Sequence, residues 1–204
     1  MSLPQLRKAR CIEGKTLLFS DASVADAAFI HQLRTDARGT RFLRPTSALL
    51  ADQVAWMESY AGRSDEAYFV IADAKGKRLG TVRLKEARGD SFSWGSWILA
   101  PDAPSHVAIE SALMVYAYAL DVLGFQRSHF HVLRNNARVC AFHERFGALP
   151  VFRSGMDIQY CLSNAAIRAG MARYARYLPH AISVEADHGY FPRPLLCPPV
   201  CTVS

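Results

Sequence analysis

The chain reads as an α/β protein with a mixed, mostly antiparallel sheet flanked by helices, and three stretches predict this. Residues 67–99 form three short apolar segments separated by turn residues, the pattern of an antiparallel meander. Residues 127–146 pass from the alternating segment SHFHVL through Asn135-Asn136 into a helical period that stops at Gly147, so a strand hands over to a short helix. Helical patterns near the start and after Pro104 supply the flanking layers.

In chain order, Thr16 to Phe19 reads as a short strand after the turn-like Glu13-Gly14. Asp21 or Ser23 then caps a helix running to about Leu33, with Ala27, Ile30 and Leu33 on one face. Residues 35–47, with Gly39 and Pro45, should be a loop, and they place Arg38, Arg41 and Arg44 close together. Leu49 to Tyr60 is a second helix with Val54, Trp56 and Met57 on its apolar side. The meander comprises Ala67 to Ala72, Arg78 to Leu84 and Phe92 to Leu99, and Gly95 inside the third strand suggests a bulge or a splay. Its alternative reading is a glycine that lets Trp94 and Trp97 pack. After Pro101 and Pro104 a long helix covers His106 to Leu123, with Leu113, Tyr116, Leu120 and Leu123 at helical spacing and Gly124 at its end. Beyond the strand-helix unit, Met156 to Leu162 is a last alternating strand and Asn164 to Tyr177 an amphipathic helix rich in Ala and Arg. Residues 1–178 are expected to form one domain, and the proline-containing residues 179–204 a poorly packed tail.

Composition narrows the function classes. Half of the 204 residues are hydrophobic, enough for one substantial core. The longest apolar candidate is interrupted by Glu110 and Asp121, so no membrane span is expected, and the N-terminus lacks the pattern of a signal peptide. Five scattered cysteines form no disulfide framework, which fits a reducing, cytoplasmic setting. The terminal C-x-x-x-C has no second ligand pair, so no metal is expected. The net charge of +6 is carried by 19 Arg against 5 Lys. Guanidinium forks suit phosphate, although solvated surface charge explains them equally, and the absence of a basic block with interleaved aromatics argues against nucleic acid.

Within the helix after Asn136, Val139, Phe142, His143 and Phe146 share one face, so an imidazole lies on an apolar stripe. The order Asn136, His143, Gly147-Ala148 after a strand resembles the late strand-helix unit of the GNAT acyl-CoA N-acyltransferases. The phrases FSWGSWIL (Phe92 to Leu99), AIESAL (Ala108 to Leu113) and AFHERFGA (Ala141 to Ala148) resemble the branch that acetylates amino groups of nucleotide-linked sugars. The resemblance spans Leu17 to Leu162 and implies a GNAT-like splayed central sheet, acetyl-CoA as cosubstrate and a small-molecule primary amine as acceptor.

The resemblance also implies roles. His143 stands where many of these enzymes have a tyrosine that hydrogen-bonds or protonates the coenzyme sulfur, and imidazole suits this because its ordinary pKa of about 6.5 lies below a thiol's, about 8.5. Asn136 would hold the pantetheine arm; a plain helix cap is the other reading. Backbone N–H groups of Ile98 and Leu99 near the Gly95 splay would polarise the thioester carbonyl. The coenzyme pyrophosphate would meet the helix start at Ala103, Ser105, His106, Val107 and Ala108. That stretch keeps only the final Ala of the family's Q/R-x-x-G-x-G/A, and Pro104 contributes no N–H.

The residues do not single out a general base: Glu86 and Asp90, near the end of the Arg78 to Leu84 segment and in the turn after it, are candidates with ordinary surface charge as their other reading, and Ser96 and His129 stand behind them. Arg41 and Arg44, with Arg38, would clamp an acceptor diphosphate, and Trp94, Trp97 and Tyr68 would stack on a base or sugar. A protein N-terminus is the competing acceptor. A non-catalytic binding module with a degenerate phosphate loop is the reading from another class, and a homodimer is a further expectation.

Overall fold

The computed structural model describes residues 2–36 and 46–186. Among them the chain forms β1 (Ala9–Glu13), β2 (Leu17–Asp21), α1 (Ala27–Thr35), α2 (Leu50–Ala61), β3 (Ala67–Asp73), β4 (Arg78–Arg88) and β5 (Ser91–Leu99). Then follow α3 (His106–Ala117), β6 (Arg127–Leu133), α4 (Ala137–Arg145), β7 (Leu149–Arg153), β8 (Asp157–Ser163), α5 (Asn164–Arg173) and β9 (Ser183–Ala186). The strands lie in one sheet in the order β7-β8-β6-β5-β4-β3-β2-β1-β9. Every pairing is antiparallel except β5 with β6. This is the mixed, mostly antiparallel α/β sheet that the sequence predicts.

Alternation along β3 divides the interior into two layers. Ala67, Phe69 and Ile71 join the main core, which is filled by α3, while Tyr68 and Val70 pack with Ala27, Ile30, Met57 and Tyr60 of α1 and α2 on the other face. α3 is buried almost all round, as expected of a helix between a sheet and further helices, and continues through a single π turn at Tyr118–Val122 before Gly124 ends it with φ +84°.

Three strands lie outside the sequence expectation. β1 carries two buried residues among partly exposed ones, β7 is exposed along its whole length and β9 is only four residues long. β7 and β9 are the sheet's edges, which pair through their backbones and need no apolar period of their own, and β1 lies just inside β9. In the segment after His180, Ser183–Ala186 pair with β1 as β9 and Glu185 reaches Arg10. β4 also runs four residues past Leu84, to Arg88.

One buried carboxylate ties the first hairpin to α3. Glu110, 1 % exposed, accepts the N–H groups of Thr16 (2.6 Å) and Leu17 (3.0 Å) and the Thr16 hydroxyl (2.6 Å). Such bonds to a charged acceptor are strong, and removing the acceptor leaves two amides without a partner. Glu110→Ala is therefore expected to lower unfolding stability by about 3 kcal/mol in chemical denaturation, with Glu110→Gln losing less because it keeps one acceptor oxygen.

Candidate active site

β5 and β6 touch at one end only. Their parallel ladder is limited to Ser91↔Arg127 and Phe92↔Ser128, after which the strands diverge and leave a cleft of about 520 Å³. The cleft is walled by Ser93 to Trp97 of β5, Phe130 to Leu133 of β6, and Asn136, Val139 and His143 of the segment that ends in α4. The other side of β5 carries a bulge, for the register steps from Arg83↔Gly95 to Thr81↔Ile98. The left-handed residue of that bulge is Ser96 (φ +46°), whose carbonyl accepts the Thr81 hydroxyl at 2.9 Å. The distortion predicted at Gly95 thus falls one residue later, and a side chain at Gly95 would meet nothing within 4 Å.

The bulge decides which amides face the cleft. Ala100 N–H donates to Leu79 at 2.8 Å, and Gly80↔Leu99 and Thr81↔Ile98 continue the ladder. Alternation then turns the Ile98 N–H toward β4 and the Leu99 N–H toward the open side. Of the two amides expected to polarise a carbonyl, Leu99 has the required direction and Ile98 does not.

α4 fixes the imidazole. The Asn136 side chain caps the helix weakly, accepting Val139 N–H at 3.4 Å, while Gly147 (φ +95°) closes it with Gly147 N–H on Glu144 (2.9 Å) and Ala148 N–H on the carbonyl of His143 (3.0 Å). The His143 ring, 5 % exposed, sits among aromatic rings, with centroids 4.2 Å from Phe130, 5.3 Å from Trp94 and 5.5 Å from Phe142. Its Nδ1 is buried without a hydrogen-bond partner, and burial pulls its pKa down to about 3. The imidazole is therefore neutral at pH 7. In that state the ring's N–H can donate a hydrogen bond to a sulfur, one of the two roles expected of it.

The remaining expected residues are scattered. Glu86 lines the cleft with φ +53°, but its carboxylate is engaged by Lys85 and Arg88, and the Lys85 bond keeps its pKa below the usual carboxylate range. Asp90 pairs with Arg127, and Ser91 Oγ lies 2.8 Å from His129 Nδ1. Trp94 is 5 % exposed and packed edge-on, so it presents no open face for stacking; Trp97 is half-buried and donates Nε1–H to Ser111 at 3.1 Å. Arg38, Arg41 and Arg44 lie outside the described residues.

At the start of α3 the Val107 N–H is taken by Pro104 at 3.0 Å, which removes Val107 as a donor. Ser105 and His106 remain there, while Ala103 packs on the core. Among the described residues no three His, Cys, Asp or Glu side chains converge as a metal site, and no helix is long and apolar enough to cross a membrane.

Sequence reasoning missed a charged group beside the cleft. Arg83 donates Nε–H to buried Glu66 at 2.7 Å and lies 4.9 Å over the Trp56 ring, and Arg34 lines the same wall. The signal was present in Arg83 alternating with Val82 and Leu84 on a central strand, but nothing local tied it to Glu66.

Residues 16–149 match the acetyltransferase (GNAT) domain family. Among solved structures the chain is similar to apo FdhC, described as a nucleotide-linked sugar GNAT, at 31% identity over 81% of this chain and 97% of that one, with a TM-score of 0.73. It is also similar in fold to an acetyltransferase structure from T. thermophilus (20% identity, 86% and 98% coverage, TM-score 0.66). The spermidine/spermine N-acetyltransferase SpeG from Vibrio cholerae shares the fold too (18% identity, 76% and 97% coverage, TM-score 0.61). No curated protein matches the sequence significantly.

Proposed function

Because the chain belongs to the GNAT acetyltransferase family and is an acetyl-CoA-dependent N-acetyltransferase, we propose that its acceptor is the amino group of a nucleotide-linked sugar, bound at the cleft between β5 and β6. The observation that carries the site is the caged imidazole of His143 on the wall of that cleft, its Nδ1 without a hydrogen-bond partner among the described residues. The choice of acceptor rests on the likeness to FdhC, a nucleotide-linked sugar GNAT, at 31% identity.

The cosubstrate supplies an activated acetyl group on a thioester. The Leu99 N–H, turned away from β4 toward the open side of β5, donates to the carbonyl oxygen, which gains charge as the amine attacks. His143, neutral and locked by the closed end of α4, donates a hydrogen bond toward the sulfur and so favours its departure. The aromatic wall excludes water around that bond and strengthens it. Glu86 is a weak base for the amine proton, since Lys85 and Arg88 hold it ionised; the proton leaves to solvent. Asn136 retains an amide on the cleft wall that can steady the pantetheine arm beyond its capping bond.

Thermal unfolding with and without acetyl-CoA tests this reading first. At about 100 times the dissociation constant the native state gains roughly 2.7 kcal/mol, a rise of about 5 to 10 °C for a domain of this size. Release of free thiol with amino-sugar nucleotides, absent with the non-amino parent nucleotides, then tests the acceptor. No shift at millimolar acetyl-CoA would reject the reading.

A further inference from the structure

Beside the cleft, and sharing Arg34, Arg83 and Ser96 with it, a smaller polar pocket of about 160 Å³ opens between α1, α2, β3 and β4. Tyr68 forms part of its wall. This residue is 2 % exposed, its ring is held edge-on by Trp56 (5.6 Å) and Tyr60 (6.1 Å), and its hydroxyl has no hydrogen-bond partner among the described residues. A buried hydroxyl without a strong partner costs about 1–3 kcal/mol, and an anion bound in this pocket would supply an acceptor for it.

Arg34 and Arg83 line the same pocket as Tyr68. Burial raises the Tyr68 pKa, and the Thr81 hydroxyl first, then the charges of Arg34 and Arg83, oppose that rise. Arg83 commits Nε and Nη2 to Glu66 and stacks over Trp56, which leaves Nη1 outside that pair and holds the group rigid. Arg34 gives Nε–H to Thr46 Oγ1 at 3.3 Å. Among the described residues the one carboxylate on the wall is Asp52; Glu66, behind Arg83, is paired with Arg83 and Arg63. The donors and the charge balance select an anion with several oxygens and reject a polyamine. Ser96, on the bulge, is the common wall that would set such an anion next to the thioester end of the cleft.

We propose that this pocket seats the diphosphate of the acceptor, with the Tyr68 hydroxyl and the guanidinium groups of Arg34 and Arg83 as its donors. The inference rests on the acetyl-transfer reading and adds to it the residues that select an anionic carrier. Geometry makes the phosphates the anchor and leaves the sugar amine to reach past Ser96.

Calorimetric titration of the full chain with inorganic pyrophosphate, uridine diphosphate and spermidine tests it. Acetyl-CoA is kept saturating so that the coenzyme's own diphosphate site is filled. The expected result is binding of pyrophosphate, tighter binding of uridine diphosphate and none of spermidine. Arg34→Gln and Tyr68→Phe should each weaken diphosphate binding by about tenfold or more, in line with the loss of a hydrogen bond to a charged group. Tyr68→Phe should change the unfolding midpoint little, because the hydroxyl makes no strong hydrogen bond among the described residues. Absent diphosphate binding with intact acetyl-CoA binding overturns this inference alone, as does equal binding by both variants. Absent acetyl-CoA binding overturns the reading beneath it.

Discussion

Lowering the pH from 7 to 5 is expected to cost the protein about 2 kcal/mol of stability through His143 alone, and His143→Phe to remove that part of the loss. The folded-state pKa, about 3, lies below the ordinary 6.5 because burial disfavours the charged ring. The unfolded chain therefore binds a proton that the folded chain refuses. Stability is fully present above pH 6.5 and falls by about 1.4 kcal/mol per unit below it, until the folded ring itself titrates near pH 3. His129 is depressed in the same direction, chiefly by burial, so the variant keeps a shallower slope. Urea midpoints of both proteins at pH 7, 6 and 5 would measure the difference, and parallel curves would remove His143 as its source. Turnover of the same variant should fall by about 10²-fold, the usual loss for one donor to a developing charge.

Arg83→Ala is expected to cost about 3 to 5 kcal/mol, the largest single effect on folding. Glu66 is 4 % exposed, and after the change its carboxylate keeps only Arg63, whose side chain is 39 % exposed and contributes little. The face of Trp56 also loses its cation. Most of the cost is the carboxylate left behind. Arg83→Met combined with Glu66→Leu should therefore recover most of the stability while leaving the acceptor pocket without one of its cations. Denaturant midpoints of the single and double variants decide it, and a double variant as unstable as the single would place the cost elsewhere.

The elements legible in the sequence were those that bury one face. Ile30 and Leu33 of α1, Phe130 and Val132 of β6, and His143 of α4 all announce themselves through periodicity, and each is buried where the period puts it. β7 could not be read because both of its faces are exposed, so Leu149, Val151 and Phe152 obey no alternation. The bulge was legible only to within a residue, since Ser96 adopts its left-handed backbone through the register with β4 rather than through its own identity. At the site, Asn136 and His143 belong to one local unit and so appeared together. Arg34, Tyr68 and Arg83 come from three separated elements, and only the fold makes them neighbours.

The short ladder between β5 and β6 makes the sheet behave like a book. Its binding is the two residue pairs Ser91↔Arg127 and Phe92↔Ser128, and its leaves are β7-β8-β6 on one side and the remaining strands on the other. Any small rotation about that binding moves the pages in proportion to their distance from it. The Trp97 end of β5 is far from that binding, and there the two leaves are joined by side chains instead of backbone, with the Trp97 ring on Phe142 of α4 at 5.1 Å. Truncating Trp97 would therefore loosen the pages where the backbone no longer holds them.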